Sequence, residues 1–142
     1  VATWVDEAAA SGARIAAGGV IRDDGVLAPT LIDAATPEMK VCEQEVFGPV
    51  VAVIRYDEYE DALRMANDTR YGLQAAVFTA DIDKALRAAR VLDFGGVLVN
   101  EVPTFRADQQ PYGGLRDSGN TREGPAWSVR EMTEERLIIL NG

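Results

Sequence analysis

Three side chains in this sequence stand out for the chemistry they could do: the carboxylate of Glu45, the guanidinium of Arg106 and the thiol of Cys42. A carboxylate accepts hydrogen bonds from two neighbouring hydroxyls at once, so Glu45 suits a ribose diol. Its plainer reading is a turn-terminal glutamate satisfied by water. A guanidinium forks onto a carboxylate or phosphate, so Arg106 suits an anionic substrate. Its plainer reading is a surface ion pair. Cys42 is the only cysteine. A thiol attacks carbon only as thiolate, and without an activating neighbour it is a half-buried, inert group. The chain has no histidine. That excludes a histidine-based triad, and a lone cysteine cannot build a zinc site, so no metal centre is expected.

Composition narrows the partners. The net charge of −9 over 142 residues argues against nucleic acid, which needs a basic surface to release counterions. No apolar run approaches the ~18 residues of a membrane helix. No basic-apolar leader opens the sequence, and one unpaired cysteine suits a reducing compartment, so a cytoplasmic protein is expected. The length allows one domain with a sizeable core. Val1, Trp4, Val5, Ala8 and Ala9 share a helical face that Gly12 can end, so the sequence opens inside a helix. This leads us to expect an excised or trimmed piece of a longer chain.

The elements that must position these groups follow from periodicity. Residues 13–35 carry turn signals at Gly18-Gly19, Asp23-Asp24-Gly25 and Pro29, which suits short strands and turns. Val50 to Ile54 is a continuous apolar run, expected as a strand buried on both faces. Asp57, with Glu60 behind it, is expected to cap a helix whose stripe is Tyr59, Ala62, Leu63 and Ala66. Tyr71-Gly72 breaks that helix, and Ala75 to Phe78 forms the next strand. Asp81 caps a second helix with the stripe Ile82, Ala85, Leu86 and Ala89, and Val97 to Val99 makes a further strand. This order predicts two β-α-β crossovers in an α/β fold. Residues 101–124 form a long loop, of the kind that usually carries function. A short helix is expected around 123–129 and a last strand at Leu137–Leu140.

Four motifs then add a family. Glu45-Val46-Phe47-Gly48-Pro49-Val50 resembles the glutamate signature of aldehyde dehydrogenases. The stretch from Asn67 to Gly72-Leu73 is similar to the family's asparagine-to-glycine turn, and Gly95-Gly96-Val97-Leu98-Val99-Asn100 to its glycine–strand–asparagine segment. Pro111-Tyr112-Gly113-Gly114, followed by Ser118-Gly119 and Arg122-Glu123-Gly124, resembles its C-terminal loop. The motifs occur in the family's order and spacing, and the match covers essentially the whole chain. Phe105-Arg106-Ala107-Asp108 and Met132-Thr133-Glu134 look most like the branch acting on lactaldehyde, phosphonoacetaldehyde and related small polar aldehydes. Gln109-Gln110, Thr121 and Pro125 depart from the common pattern, the first pair within the segment that would set specificity.

The resemblance implies a Rossmann-like parallel sheet with flanking helices, a partial domain covering 1–142 and ending at 131–142 in an oligomerisation-type strand. It implies oxidation of an aldehyde to an acid through a cysteine thioester, with hydride passing to NAD or NADP and a glutamate base activating water. Glu45 would hold the nicotinamide ribose and Phe47 would lie against it, or fill the core. Phe105, Arg106 and Tyr112 would line the aldehyde channel. Gly48 and Pro49 would shape a turn by permissive and locked φ, Asn67 and Gly72 a helix end with left-handed dihedrals, and Asn100 would order the loop that follows it. Gly113, Gly114, Ser118 and Gly119 would be structural. The family nucleophile lies in a glycine–glutamine–cysteine setting that this sequence does not contain, so Cys42 is not expected to replace it. The isolated chain is therefore expected to be inactive and not to bind the cofactor alone. Leu137–Leu140 is expected as an exposed edge, pairing with another segment or another chain in a homo-oligomer. The alternatives are a free-standing non-catalytic binding or assembly module, and an unrelated doubly wound domain such as a phospho-receiver, whose acidic cluster and lysine spacing are not found here.

Overall fold

A computed structural model describes all of residues 1–142 as two compact units, Val1–Met65 and Ala66–Gly142. In the first unit, helix α1 (Ala2–Ala10) is followed by strands β1 (Arg14–Ala17) and β2 (Thr30–Asp33), the short helix α2 (Lys40–Glu43), strand β3 (Val50–Ala52) and helix α3 (Tyr59–Asn67), which runs past the boundary. β1 pairs antiparallel with β2, and β2 pairs parallel with β3. The helical opening holds. Val5 and Ala8 pack with Ile32, Ala35, Met39 and Val41 in the core, with Trp4 against them, while Val1 and Ala9 face solvent. Gly12 ends α1 at a φ of +101°, a conformation that favours glycine.

In the second unit, strand β4 (Gln74–Val77), helix α4 (Ile82–Val91) and strand β5 (Gly96–Val99) make one parallel β-α-β unit. Asp81 caps α4 as expected, its carboxylate accepting from the backbone N–H of Asp83 and Lys84. Close packing at the start of β5 leaves no room for a side chain at Gly95, where a Cβ would fall 1.7 Å from the Gly113 carbonyl oxygen. The 3-10 turn Arg116–Ser118 and helix α5 (Pro125–Glu131) complete the unit.

The α/β class and its parallel pairs agree with expectation, and several details do not. β3 is hydrogen-bonded to β2 in the first unit, and β4 to β5 in the second. β3 is not buried on both faces: Val51 is 60% exposed. The first i→i−4 bond of α3 runs from the Ala62 N–H to the Glu58 carbonyl. On α4 the buried side is Ala85 and Ala88, continued by Leu92, while Ile82 and Leu86 are exposed. Small side chains there let the helix lie close to β5, and periodicity ranks bulk above closeness. α5 starts at Pro125, whose locked φ and missing N–H suit the first helical position. Residues 133–142 form no strand, and Leu137, Ile138, Ile139 and Leu140 are all exposed. A strand exists only through hydrogen bonds to a neighbour, and none lies beside these residues.

Candidate functional site

In the first unit the glutamate motif sits between α2 and β3. The Gly48 N–H donates to the Val46 carbonyl, and the Val50 N–H to the Gly48 carbonyl, so two tight turns lead into the strand. The Thr30 N–H donates to the Pro49 carbonyl at 2.8 Å and anchors the motif to β2. Gly48 is not among the residues with positive φ. Its constraint is space: a Cβ there would lie 3.1 Å from a Val1 methyl. Glu45 is exposed and makes no hydrogen bond or ion pair with another described residue. Phe47 is 84% exposed, so it does not fill the core. Beside the motif, Pro29, Leu31, Gly48, Pro49, Val50 and Val51 border an open apolar groove. Two residues apart in the sequence, Glu45 and Phe47 thus leave exposed a carboxylate that can accept hydrogen bonds and an aromatic ring that can stack.

Cys42 lies in α2, half-buried against the core. Burial, with a smaller contribution from the Glu38 carboxylate, pushes its thiol up from the ordinary cysteine range. Both effects disfavour thiolate, so this group is poorly made for nucleophilic attack.

In the second unit the three residues assigned to the aldehyde channel come together. Phe105, Arg106 and Tyr112 line one cavity of about 200 Å³ with Gln74, Gln110 and Pro111, floored by Gly96 to Leu98 of β5. The Gln74 amide donates to the Phe105 carbonyl at 3.3 Å and holds the loop to β4. The Arg106 guanidinium lies 4.6 Å from the centre of the Tyr112 ring. Its Nη2 donates to Glu123 Oε2 at 2.8 Å. The ion-pair reading of Arg106 is therefore correct as geometry. It uses one of five N–H donors, so an anion can still be met by the rest.

The motif asparagines and glycines shape the chain mainly through side-chain bonds and close packing, and Asn67 and Gly72 do so without the expected left-handed dihedrals. Asn67 has no left-handed backbone. Its side chain joins two helix ends, Nδ2 donating to the Val91 carbonyl at 2.7 Å and Oδ1 accepting from the Asp93 N–H at 2.9 Å. Gly72 also lacks positive φ, and a Cβ there would press on Arg116 and the Asp93 carbonyl at 3.2–3.3 Å. The Gly72 N–H donates to Ser118 Oγ at 3.0 Å. Asn100 orders the segment after β4 rather than the loop after itself, through two bonds to the Thr79 backbone. A Cβ at Gly113 would lie 2.1 Å from the Thr121 carbonyl oxygen, and one at Gly114 2.4 Å from the Ser118 Cβ. Gly119 has a φ of +118°.

Nothing in the sequence singled out Arg116. Its Nη1 donates to the carbonyls of Asn67 and Thr69, and its Nη2 to that of Asp93, so one side chain ties the ends of α3 and α4 to the C-terminal loop. The signal is only a basic residue between two glycine motifs. The carbonyls it reaches are 23 to 49 residues away in sequence.

The aldehyde dehydrogenase family model matches residues 1–138. The 3-sulfolactaldehyde dehydrogenase of Priestia aryabhattai is 48% identical over 141 residues, which is 99% of this chain and 29% of that protein. The crystal structure of aldehyde dehydrogenase 21 from Physcomitrella patens, in complex with its reaction product succinate, matches with a TM-score of 0.88 at 41% identity, over 94% of this chain and 27% of that one. Glyceraldehyde-3-phosphate dehydrogenase from Methanocaldococcus jannaschii, complexed with NADP, matches with a TM-score of 0.86 at 39% identity, over 92% of this chain and 28% of that one. The chain thus spans under a third of the length of these relatives. The ordered motifs, the parallel β-α-β unit and the family match over 138 residues agree: the chain belongs to the aldehyde dehydrogenase family.

Proposed function

We propose that this chain is the C-terminal part of the catalytic domain of an NAD(P)-dependent aldehyde dehydrogenase, and that the complete enzyme oxidises small polar aldehydes, anionic ones included, to carboxylic acids. The cavity that places Arg106 with Phe105 and Tyr112 carries the reading of the substrate class. The two aromatic rings supply walls that displace water, and the guanidinium meets the far, charged end of the substrate. A sulfonate-bearing aldehyde named for one relative and a dicarboxylate bound to another are consistent with that chemistry.

Glu45 would accept hydrogen bonds from the ribose hydroxyls of the nicotinamide half, with Phe47 against the ring. When bound, that group supplies the hydride acceptor. Cys42 takes no part in the chemistry, and the nucleophile and general base are supplied from outside these residues. Expression in the cytoplasm and assembly as a homo-oligomer through 131–142 belong to the same reading. No helix is long and apolar enough to cross a membrane.

The test is a steady-state comparison in the complete enzyme, read by NAD(P)H absorbance. Arg106→Ala is expected to raise KM about tenfold for an anionic aldehyde and to leave a neutral one of the same length nearly unchanged. Equal effects on both would remove Arg106 from substrate recognition. The purified 142-residue chain is expected to show no aldehyde oxidation, and turnover by it would overturn the assignment of the nucleophile.

A further inference from the structure

Glu123 has no role in the reading above, yet it touches both charged and aromatic sides of the cavity. Its carboxylate takes the Nη2 of Arg106 at 2.8 Å. Its backbone is paired with Tyr112 in both directions, the Tyr112 N–H donating to the Glu123 carbonyl at 3.1 Å and the Glu123 N–H to the Tyr112 carbonyl at 2.7 Å. The Arg106 guanidinium in turn lies 4.6 Å from the Tyr112 ring centre. One residue therefore fixes the backbone position of the ring-bearing residue and pairs with the cation that stacks on the ring.

We propose that Glu123 is the positioning residue for Arg106, holding the guanidinium on the Tyr112 ring so that its remaining donors are set for an anionic aldehyde. The proposal rests on the reading of Arg106 as the anion-meeting group. The Arg106 and Glu123 side chains are 44% and 61% exposed, so the pair adds little to stability. Its effect is order. Arginine is rich in rotamers, and releasing it costs up to about thirtyfold in affinity for whatever it must meet. Glu123 also repels an anion across the width of the guanidinium, but in water that costs about threefold. Ordering outweighs repulsion, so removing the carboxylate weakens binding of an anion.

The experiment uses the complete enzyme, with an anionic and a neutral aldehyde of equal length as probes. Glu123→Ala is expected to raise KM for the anionic substrate about tenfold, with kcat and the neutral KM nearly unchanged. Glu123→Gln keeps an acceptor for Nη2 and is expected to stay within about threefold of the parent. In the Arg106→Ala background, Glu123→Ala is expected to add nothing to the anionic KM. A structural role alone would not give that lack of additivity. A fall in the anionic KM, an equal change for both aldehydes, or a full effect in the Arg106→Ala background each overturns the proposal. If Glu123→Ala does not fold, Glu123→Gln decides, a rise beyond about tenfold counting against a hydrogen-bonding role. If Arg106→Ala itself shows no anion-selective effect, the reading beneath the proposal has failed, and that outcome is separate from these.

Discussion

Asn100 grips the backbone of Thr79 from both sides, Oδ1 accepting from its N–H at 2.8 Å and Nδ2 donating to its carbonyl at 2.9 Å. The grip joins the exits of β4 and β5, and it sets Asn100 at a φ of +55°, which asparagine tolerates better than most residues.

Asn100→Ala removes both bonds and leaves a β-carbon in the left-handed region. It is expected to destabilise the protein by about 1–3 kcal/mol. Urea denaturation reads the loss directly. Asn100→Gly keeps the backbone conformation accessible, so its cost should be smaller than that of alanine. An alanine variant as stable as the parent would show that the grip forms without consequence.

Glu45 has no partner to lose, so Glu45→Gln should leave the urea midpoint unchanged. In the complete enzyme it should raise KM for NAD(P) about tenfold, because an amide is a weaker acceptor for a diol than a carboxylate. A shift in stability without a shift in cofactor KM would assign Glu45 to the fold instead.

Burial and the Glu38 carboxylate raise the Cys42 thiol. A raised thiol is protonated, and unreactive, throughout the neutral range. Alkylation by iodoacetamide should therefore be slower than that of a free cysteine at neutral pH and should accelerate only above the ordinary thiol range. Cys42→Ser should leave turnover of the complete enzyme within about twofold, and loss of turnover would restore Cys42 as a chemical participant.

Asp33, buried at the end of β2, is held below the usual carboxylate range by the Arg14 guanidinium first, then by Arg55 and the Ala34 N–H, against the opposing effect of burial. Both Arg55 bonds to it are 2.9–3.0 Å long. A lowered folded value means that the unfolded chain takes up the proton first. The stabilisation is complete above the ordinary aspartate value and is lost as pH falls through the lowered one. Asp33→Asn should be less stable than the parent at neutral pH, and the two should converge as pH falls below about 4. Parallel urea midpoints across that range would contradict the linkage.

Much of this was legible along the chain, because it depends on near neighbours. Asp81 caps α4 through N–H groups two and three residues on, and Gly12 ends α1 by its own φ. The order of the motifs identified the family, and the loop holding Phe105, Arg106 and Tyr112 was marked as functional by its length and lack of periodicity. The buried face of α4 was misread because apolar size does not say which side meets a sheet.

The sequence by itself determined the family, the α/β class and the absence of any histidine or second cysteine with which to do chemistry. Only the tertiary structure decided how those residues are used. Asn67, Gly72 and Gly113 matter for close approach and side-chain bonds rather than for backbone conformation, since backbone carbonyl and N–H groups 8 to 26 residues away lie against them. Leu137–Leu140 has the composition of a strand and no strand beside it. Arg106 has one donor committed to Glu123 and the others left over, a division set by a contact 17 residues along the chain. Propensity is local and carries such information poorly, while packing and pairing depend on what the fold brings near.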